Sequence, residues 1–263
     1  KSELALNEGY YYLYSNIGWL FGPLIAGYAA KIFGNESVFI ITSICFSIVL
    51  IYFLQQKFIP DQISIKNKEK FSEILSNFKN FFGNIELRKV FIISLGLNFW
   101  WAISWIYIPL SVENLGFNQD VVGLVMSGGI LPLILLEGWV GKRADKKGIR
   151  LYILFGFMFL SVVTLLFPSA SKYPIILFIL FALVNIGAAF IEPLTEVYFF
   201  KTVKCKNRER FFGTYTTAGH ISNIFGPIIG SLLIILNQNM NTLWIGTSFI
   251  LFLFFLQSTK IKV

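Results

Sequence analysis

The sequence predicts an all-α polytopic membrane protein with about eight transmembrane helices. Three observations lead there. The 263 residues are 56% hydrophobic and 17% aromatic but only 14% charged, with a mean hydropathy of +0.69, whereas a soluble domain carries about 25% charged residues. Too little polar surface remains to coat a water-soluble globule, so the bilayer is the expected solvent and partner. Apolar runs of roughly 20 residues, the length that crosses a hydrocarbon core, recur along the chain. The segments joining them alternate between strongly basic and nearly uncharged.

The runs fall at residues 9–30, 36–57, 89–111, 119–140, 150–168, 173–199, 211–236 and 241–258. Basic residues gather after the second run (Lys66, Lys68, Lys70, Lys79, Arg88, Lys89), the fourth (Lys142, Arg143, Lys146, Lys147, Arg150), the sixth (Lys201, Lys204, Lys206, Arg208, Arg210) and the eighth (Lys260, Lys262). The intervening loops hold only Lys31 and Lys172. By the positive-inside rule, the basic loops and the C-terminus belong in the cytoplasm. The net charge of +8 is thereby explained as topology, and no nucleic-acid partner is called for. Cys45 lies in an apolar run and Cys205 in a basic loop, so neither a disulfide framework nor a metal site is expected. No signal peptide is legible after Lys1. Between the second and third runs, Phe71, Ile74, Leu75, Phe78, Phe81 and Phe82 recur at helical spacing, predicting an amphipathic helix along the inner membrane surface.

The first run, GYYYLYSNIGWLFGPLIAG from Gly9 to Gly27, is interrupted by Gly18, Gly22 and Pro23 and occurs twice. Setting Gly22-Pro23 on Gly226-Pro227 also aligns Gly9 with Gly213, Tyr11 with Tyr215, Ile17 with Ile221, Phe21 with Phe225 and Ile25 with Ile229. Gly18 meets Ser222, Ala26 meets Gly230 and Gly27 meets Ser231, so small residues answer small ones without a gap. An internal repeat of this length reports a duplicated architecture. Proline kinks its helix, and the small residues let a second helix approach closely.

With these motifs in place, the chain resembles a member of the major facilitator superfamily. Gly141-Lys-Arg-Ala-Asp145-Lys-Lys-Gly148-Ile-Arg150 resembles the family's loop signature G-x-x-x-D-x-x-G-x-R/K, and Gly9, Gly18, Gly22-Pro23 and Ala26-Gly27 fit its fifth-span motif with one departure, Ala26 for Gly. The long basic segment sits where the family joins its two halves. The resemblance implies a partial fold of pseudo-repeated six-helix bundles: residues 1–58 as the last two helices of the N-terminal bundle, 59–88 as a cytoplasmic linker and 89–263 as the C-terminal six-helix bundle. Roughly 120 residues with about four further helices are then expected upstream on the same chain, since parallel repeats carry corresponding segments. A genuine eight-span protein is the alternative.

Three groups of side chains are candidates for function. Glu192 and Glu196 lie one turn apart on one helix face, and Glu137 lies near the basic end of its own span. A charge at a helix centre costs about 2.5–3.5 kcal/mol on insertion scales, and burial favours a protonated carboxyl. Glu192, the deepest, is the first proton-coupling candidate, with His220 at similar depth on the next span as its partner; Glu196 and Glu137 are read as gate or loop salt bridges. Asn98, Trp101 and Trp105 recur at helical spacing as a substrate wall suited to apolar or cationic ligands, with Tyr11, Tyr14 and Asn16 as weaker candidates; Trp100, off this face, is set aside as a bilayer anchor. The resemblance further implies that Gly141, Arg143, Asp145, Gly148 and Arg150 form a cytoplasmic latch closing near Gly9. Asp145 is expected to gain from a helix N-terminus.

These expectations converge on a secondary transporter of the plasma (bacterial inner) membrane working by alternating access. It would exchange protons for small apolar or cationic molecules and need no cofactor or metal. A proton-coupled importer of sugars or other metabolites is the same-class alternative. A non-transporting sensor or assembly partner is the alternative of another class. An enzyme is disfavoured, because no nucleophile–base arrangement, metal-ligand cluster or phosphate-binding loop is present in the sequence.

Overall fold

The computed structural model describes residues 2–56, 71–171 and 174–261, and their side chains except those of 2–13, 71, 145, 146, 171 and 174. Among the described residues are nine α-helices and no strand: α1 (Ser2–Phe33), α2 (Glu36–Gln55), α3 (Phe71–Gly83), α4 (Ile85–Asn114), α5 (Gln119–Lys147), α6 (Arg150–Leu165), α7 (Pro174–Thr202), α8 (Arg208–Asn237) and α9 (Met240–Ser258). Seven of them, or their extended segments, are long and apolar enough to cross a membrane. The exception among the eight expected spans is α1, which is 32 residues long but carries the tyrosines, glycines and Pro23 that dilute its hydropathy.

Each helix forms where an apolar run is bracketed by polar punctuation. Asn84 caps α4 by accepting from the backbone N–H of Glu86 at 2.9 Å, and Asn239 caps α9 by accepting from Asn241 at 2.9 Å, each satisfying a donor with no intrahelical partner. The end of α5 is set by Gly148, whose φ of +85° suits glycine and whose N–H closes on Ala144 O at 2.9 Å. The run from Gly141 to Lys147 therefore continues α5 instead of forming a loop. Its Lys, Arg and Ala residues are good helix formers, so nothing stops the helix before Gly148.

The core is built around α4, which buries Val90, Ile93, Trp100, Ile103 and Ile108 among others. Close approach of the surrounding helices relies on small residues, as in other membrane bundles. A Cβ on Gly156 of α6 would meet Gly187 O of α7 at 2.8 Å, and one on Gly129 of α5 would meet the Phe181 ring of α7 at 2.2 Å. Ser161 and Ser248 join α6 to α9 reciprocally, each hydroxyl donating to the other's carbonyl at 2.9 and 2.8 Å. Trp100 is wholly buried and donates to Asn185 Oδ1 at 3.2 Å, so it is a core residue and not a bilayer anchor. The amphipathic α3 turns Asn77 and Phe81 inward, with Phe81 edge-on to Phe91 and Phe211, and leaves Ile74, Leu75 and Phe82 exposed. Helix α2 lies beside α1 with no buried side chain.

Candidate functional site

The site is a seam where α1 lies antiparallel along α5. It is made possible by glycine. A Cβ on Gly123 would meet Pro23 O at 2.3 Å, and one on Gly27 would meet Gln119 O at 2.5 Å, so the two backbones touch. At one end, Lys31 Nζ is 2.6 Å from Asp120 Oδ2. Toward the basic end, Asn16 Nδ2 donates to Glu137 Oε2 at 2.8 Å in a buried contact. Asn16, Pro23, Gly27 and Lys31 follow one another at spacings of seven, four and four, which is one helix face.

The repeated motif is used differently in its second copy. On α8, Ser222 donates to Leu95 O at 3.0 Å, Gly226 admits Ala102 of α4, and Gly230 admits the Tyr107 ring. Tyr107 Oη donates to Pro227 O at 2.8 Å and lies 3.0 Å from Ser231 Oγ. The aligned residues of α1 are Gly18, Gly22, Ala26 and Gly27. Gly18 and Gly22 have nothing within 4 Å of a built Cβ. The motif thus carries two faces: 18–22, the counterpart of the face α8 presents to α4, and 23–27, which meets α5. Gly213 likewise has nothing within 4 Å, and Gly9 lies in α1 among the side chains not described.

The expected Glu192–His220 pair does not form. Helix α7 meets α8 through stacked aromatics, Phe199 on Tyr215 and Phe200 on Phe212, while His220 lies on the exposed face of α8 with Ile221, Ile224 and Phe225. The repeat explains this placement, because the alignment that sets Gly22 on Gly226 also sets Asn16 on His220. Asn16 has α5 to meet; His220 has no counterpart of α5 among the described residues. Glu192 instead lies in the electrostatic field of Glu137 and Glu196. Glu137 is 8% exposed and takes part in the seam, so it is not a loop salt bridge. Glu196 is half-buried one turn from Glu192.

Asn16, expected in the cavity wall, is turned into the seam instead. Tyr14 is exposed, and the Tyr11 side chain lies outside those described. On α4, Trp101 and Trp105 are half-buried with ring centroids 6.2 Å apart, and Trp19 of α1 adds a third ring, 4.6 Å from Trp105. Trp19 was not singled out by the sequence, although it lies three residues from Asn16 and its indole is a large polar-tipped ring in an interrupted span. Asn98 is half-buried, donates to Ser94 O at 2.8 Å and borders Gly219 of α8.

Asp145 falls in the last turn of α5, at the negative end of that helix dipole, so the expected gain from a helix N-terminus does not arise from α5. Its side chain and those near Gly9 are outside the description, and the latch between them with it. Arg143 stacks on Trp139 of its own helix at 4.4 Å. Arg150 Nη2 donates to Thr259 O at 2.8 Å, placing a cation at the C-terminus of α9, where a helix favours positive charge. Among the described residues, no cluster of His, Cys, Asp or Glu is arranged to hold a metal ion.

Long apolar helices packed through glycine and paired hydroxyls define an integral membrane protein. The profile of the Major Facilitator Superfamily matches residues 90–260, and the chain belongs to that superfamily of transporters. It is 26% identical over 220 residues to the multi-drug resistance efflux pump PmrA homolog of Lactococcus lactis, covering 81% of this chain and 53% of that protein. It is 25% identical over 222 residues to the multi-drug resistance efflux pump PmrA of Streptococcus pneumoniae, covering 81% and 54%. It is 29% identical over 230 residues to multidrug resistance protein MdtG of Proteus mirabilis, again covering 81% and 54%. The chain spans about half the length of these curated relatives.

Proposed function

We propose that the protein works by alternating access as a proton-coupled exporter of small apolar or cationic molecules. One observation carries this reading: the α1–α5 seam is a close contact through Gly27 and Gly123, tied by Asn16–Glu137 toward one end and Lys31–Asp120 at the other. A seam of this kind parts by breaking two polar contacts without unpacking a hydrophobic core. Trp19, Trp101 and Trp105 offer ring faces beside it, suited to flat apolar rings and to cations, at about 0.5–2 kcal/mol per cation–π contact. The efflux names of the relatives support the same direction of transport.

In this reading residues 1–58 end an N-terminal bundle, 59–88 link it and 89–263 form the C-terminal bundle. Further helices upstream cover the Gly18–Gly22 face and the His220 face. The basic end is cytoplasmic, the membrane is the bacterial inner membrane, and Asp145 with its basic neighbours latches that end. Burial and proximity to a second acid make Glu192 the group that carries the proton. The test is transport of tetraphenylphosphonium by the natural-length protein in inside-out and right-side-out vesicles under an imposed pH gradient. Gradient-driven accumulation in inside-out vesicles, abolished by Glu192→Gln, is expected. Accumulation confined to right-side-out vesicles would assign import, and binding without flux would assign a sensor.

A further inference from the structure

Among the described residues three buried carboxylate oxygens have no hydrogen-bond partner: Asp120 Oδ1 at the far end of the seam, and Glu137 Oε1 and Glu192 Oε2 toward the basic end. Glu137 Oε2 accepts from Asn16. The two acids toward the basic end are level with each other. Helices α5 and α7 run in the same direction, held in register where Asn185 Nδ2 donates to Gly129 O at 2.8 Å. Two turns further along each helix come Glu137 and Glu192. Ionised carboxylates only accept hydrogen bonds, so these two oxygens cannot satisfy one another as they stand. One proton between them makes one a donor and leaves the other an acceptor, and it removes the repulsion of two like charges in one site.

We propose that Glu137 and Glu192 hold a single proton between them, and that Asn16 ties this proton to closure of α1 on α5. The proposal rests on the proton-coupled reading and adds a second acid and a mechanical link to it. In the closed seam, a carboxyl O–H of one acid donates to the other, while Asn16 Nδ2 donates to Glu137 Oε2. When α1 leaves α5 the Asn16 bond breaks and water reaches both acids. The O–H proton passes to a water molecule, leaving two hydrated carboxylates and one hydronium ion, and closure takes a proton back by the reverse step.

The surroundings leave the pair uncompensated. Asn16 faces it from α1, whose Lys31 is held by Asp120 at the far end. From α7 comes Glu196. On α5 itself Arg143 is stacked over Trp139. Helix α4 brings Glu86 and Lys89, which pair with each other at 2.7 Å. Among the described residues no ion pair reaches Glu137 or Glu192.

The test is an infrared pH titration of the natural-length protein in lipid, following the protonated-carboxyl stretch without substrate. One band of one proton is expected. Glu137→Gln and Glu192→Gln each shift its midpoint by about one pH unit or more, a tenfold change in proton affinity, and the double variant lacks it. Asn16→Ala shifts it as well, whereas Tyr107→Phe, in the contact between α4 and α8, does not. Glu137→Gln keeps an acceptor for Asn16, and unchanged gel filtration and tryptophan emission identify a folded variant. A midpoint unmoved by Glu137→Gln, or two independent bands, overturns the shared site while leaving proton coupling through Glu192 intact. A midpoint that moves when sodium replaces potassium overturns it in favour of a cation site. A shared band in a protein whose transport ignores the pH gradient sinks the exporter reading and not the pair.

Discussion

Replacing Gly123 by alanine tests the seam most directly. The added Cβ would lie 2.3 Å from Pro23 O, whereas carbon contacts are comfortable near 3.5 Å, so α1 must recede by about 1 Å. A gap of that size forfeits roughly a quarter to a half of each dispersion contact it opens, and overpacking of this kind costs about 1–3 kcal/mol. Alanine returns up to about 1 kcal/mol of helix propensity over glycine, leaving a net loss of about 0–2 kcal/mol. Gly22→Ala is the internal control: nothing lies within 4 Å of its Cβ, so it keeps the propensity gain without the clash. In the 263-residue chain in detergent, Gly123→Ala should therefore fall below Gly22→Ala by about 1–3 kcal/mol. The assay is denaturant unfolding followed by emission of the Trp19–Trp105 pair, which reports α1 directly. Equal stabilities would refute the close approach of α1 to α5. The same comparison in a protein that carries the proposed upstream helices tests that proposal, because a helix docked on Gly18 and Gly22 would turn Gly22→Ala from neutral or stabilising into destabilising.

Other expectations follow from single contacts. Asn16→Ala leaves a buried acceptor on Glu137 unpaired and should cost about 1–3 kcal/mol, whereas Glu137→Gln, whose amide oxygen still accepts from Asn16, should cost less; chemical denaturation of both variants checks the order. Tyr107→Phe removes the bond to Pro227 O and should cost about 0.5–1.5 kcal/mol by the same measurement, without altering transport direction. Arg150→Ala should fray the end of α9, read as faster amide exchange around Thr259, and Arg150→Lys should restore part of the protection. Trp105→Ala should weaken tetraphenylphosphonium binding by about 0.5–2 kcal/mol in equilibrium dialysis, more than Trp139→Ala, whose ring is covered by Arg143.

What was legible in the sequence was whatever depends on the position of a residue along its own helix. The ends of α4, α7, α8 and α9 lie within a few residues of the apolar runs, because a span is defined by length and hydropathy. The relative depth of Glu137 and Glu192 was not: counted along separate spans Glu192 came out deeper, whereas the Asn185–Gly129 bond sets the two acids level. Nor could azimuth be read, the direction in which each side chain leaves its helix relative to neighbours that are far away in sequence. Glu192 and His220 count to a similar depth along their spans and yet form no pair, while Asn16 and Glu137, 121 residues apart, meet at 2.8 Å. The repeat contained the missing direction in part. Ser222, Gly226 and Gly230 face α4, so their counterparts Gly18, Gly22 and Ala26 define one face of α1, and Asn16, Pro23 and Gly27 must then define another. On the proposed reading the glycine–proline motif serves two contacts at once: the 23–27 stripe lies on α5, and the 18–22 stripe is left open for further helices of the bundle α1 would belong to. On that account the proton pair belongs to the second stripe, since Asn16 is its polar end, and substitutions on the first stripe should disturb assembly before they disturb coupling. Gly18→Ala, scored for both folded yield and the infrared midpoint, separates the two: lower yield with an unchanged midpoint is expected, and an altered midpoint with normal yield would show that the faces are not independent.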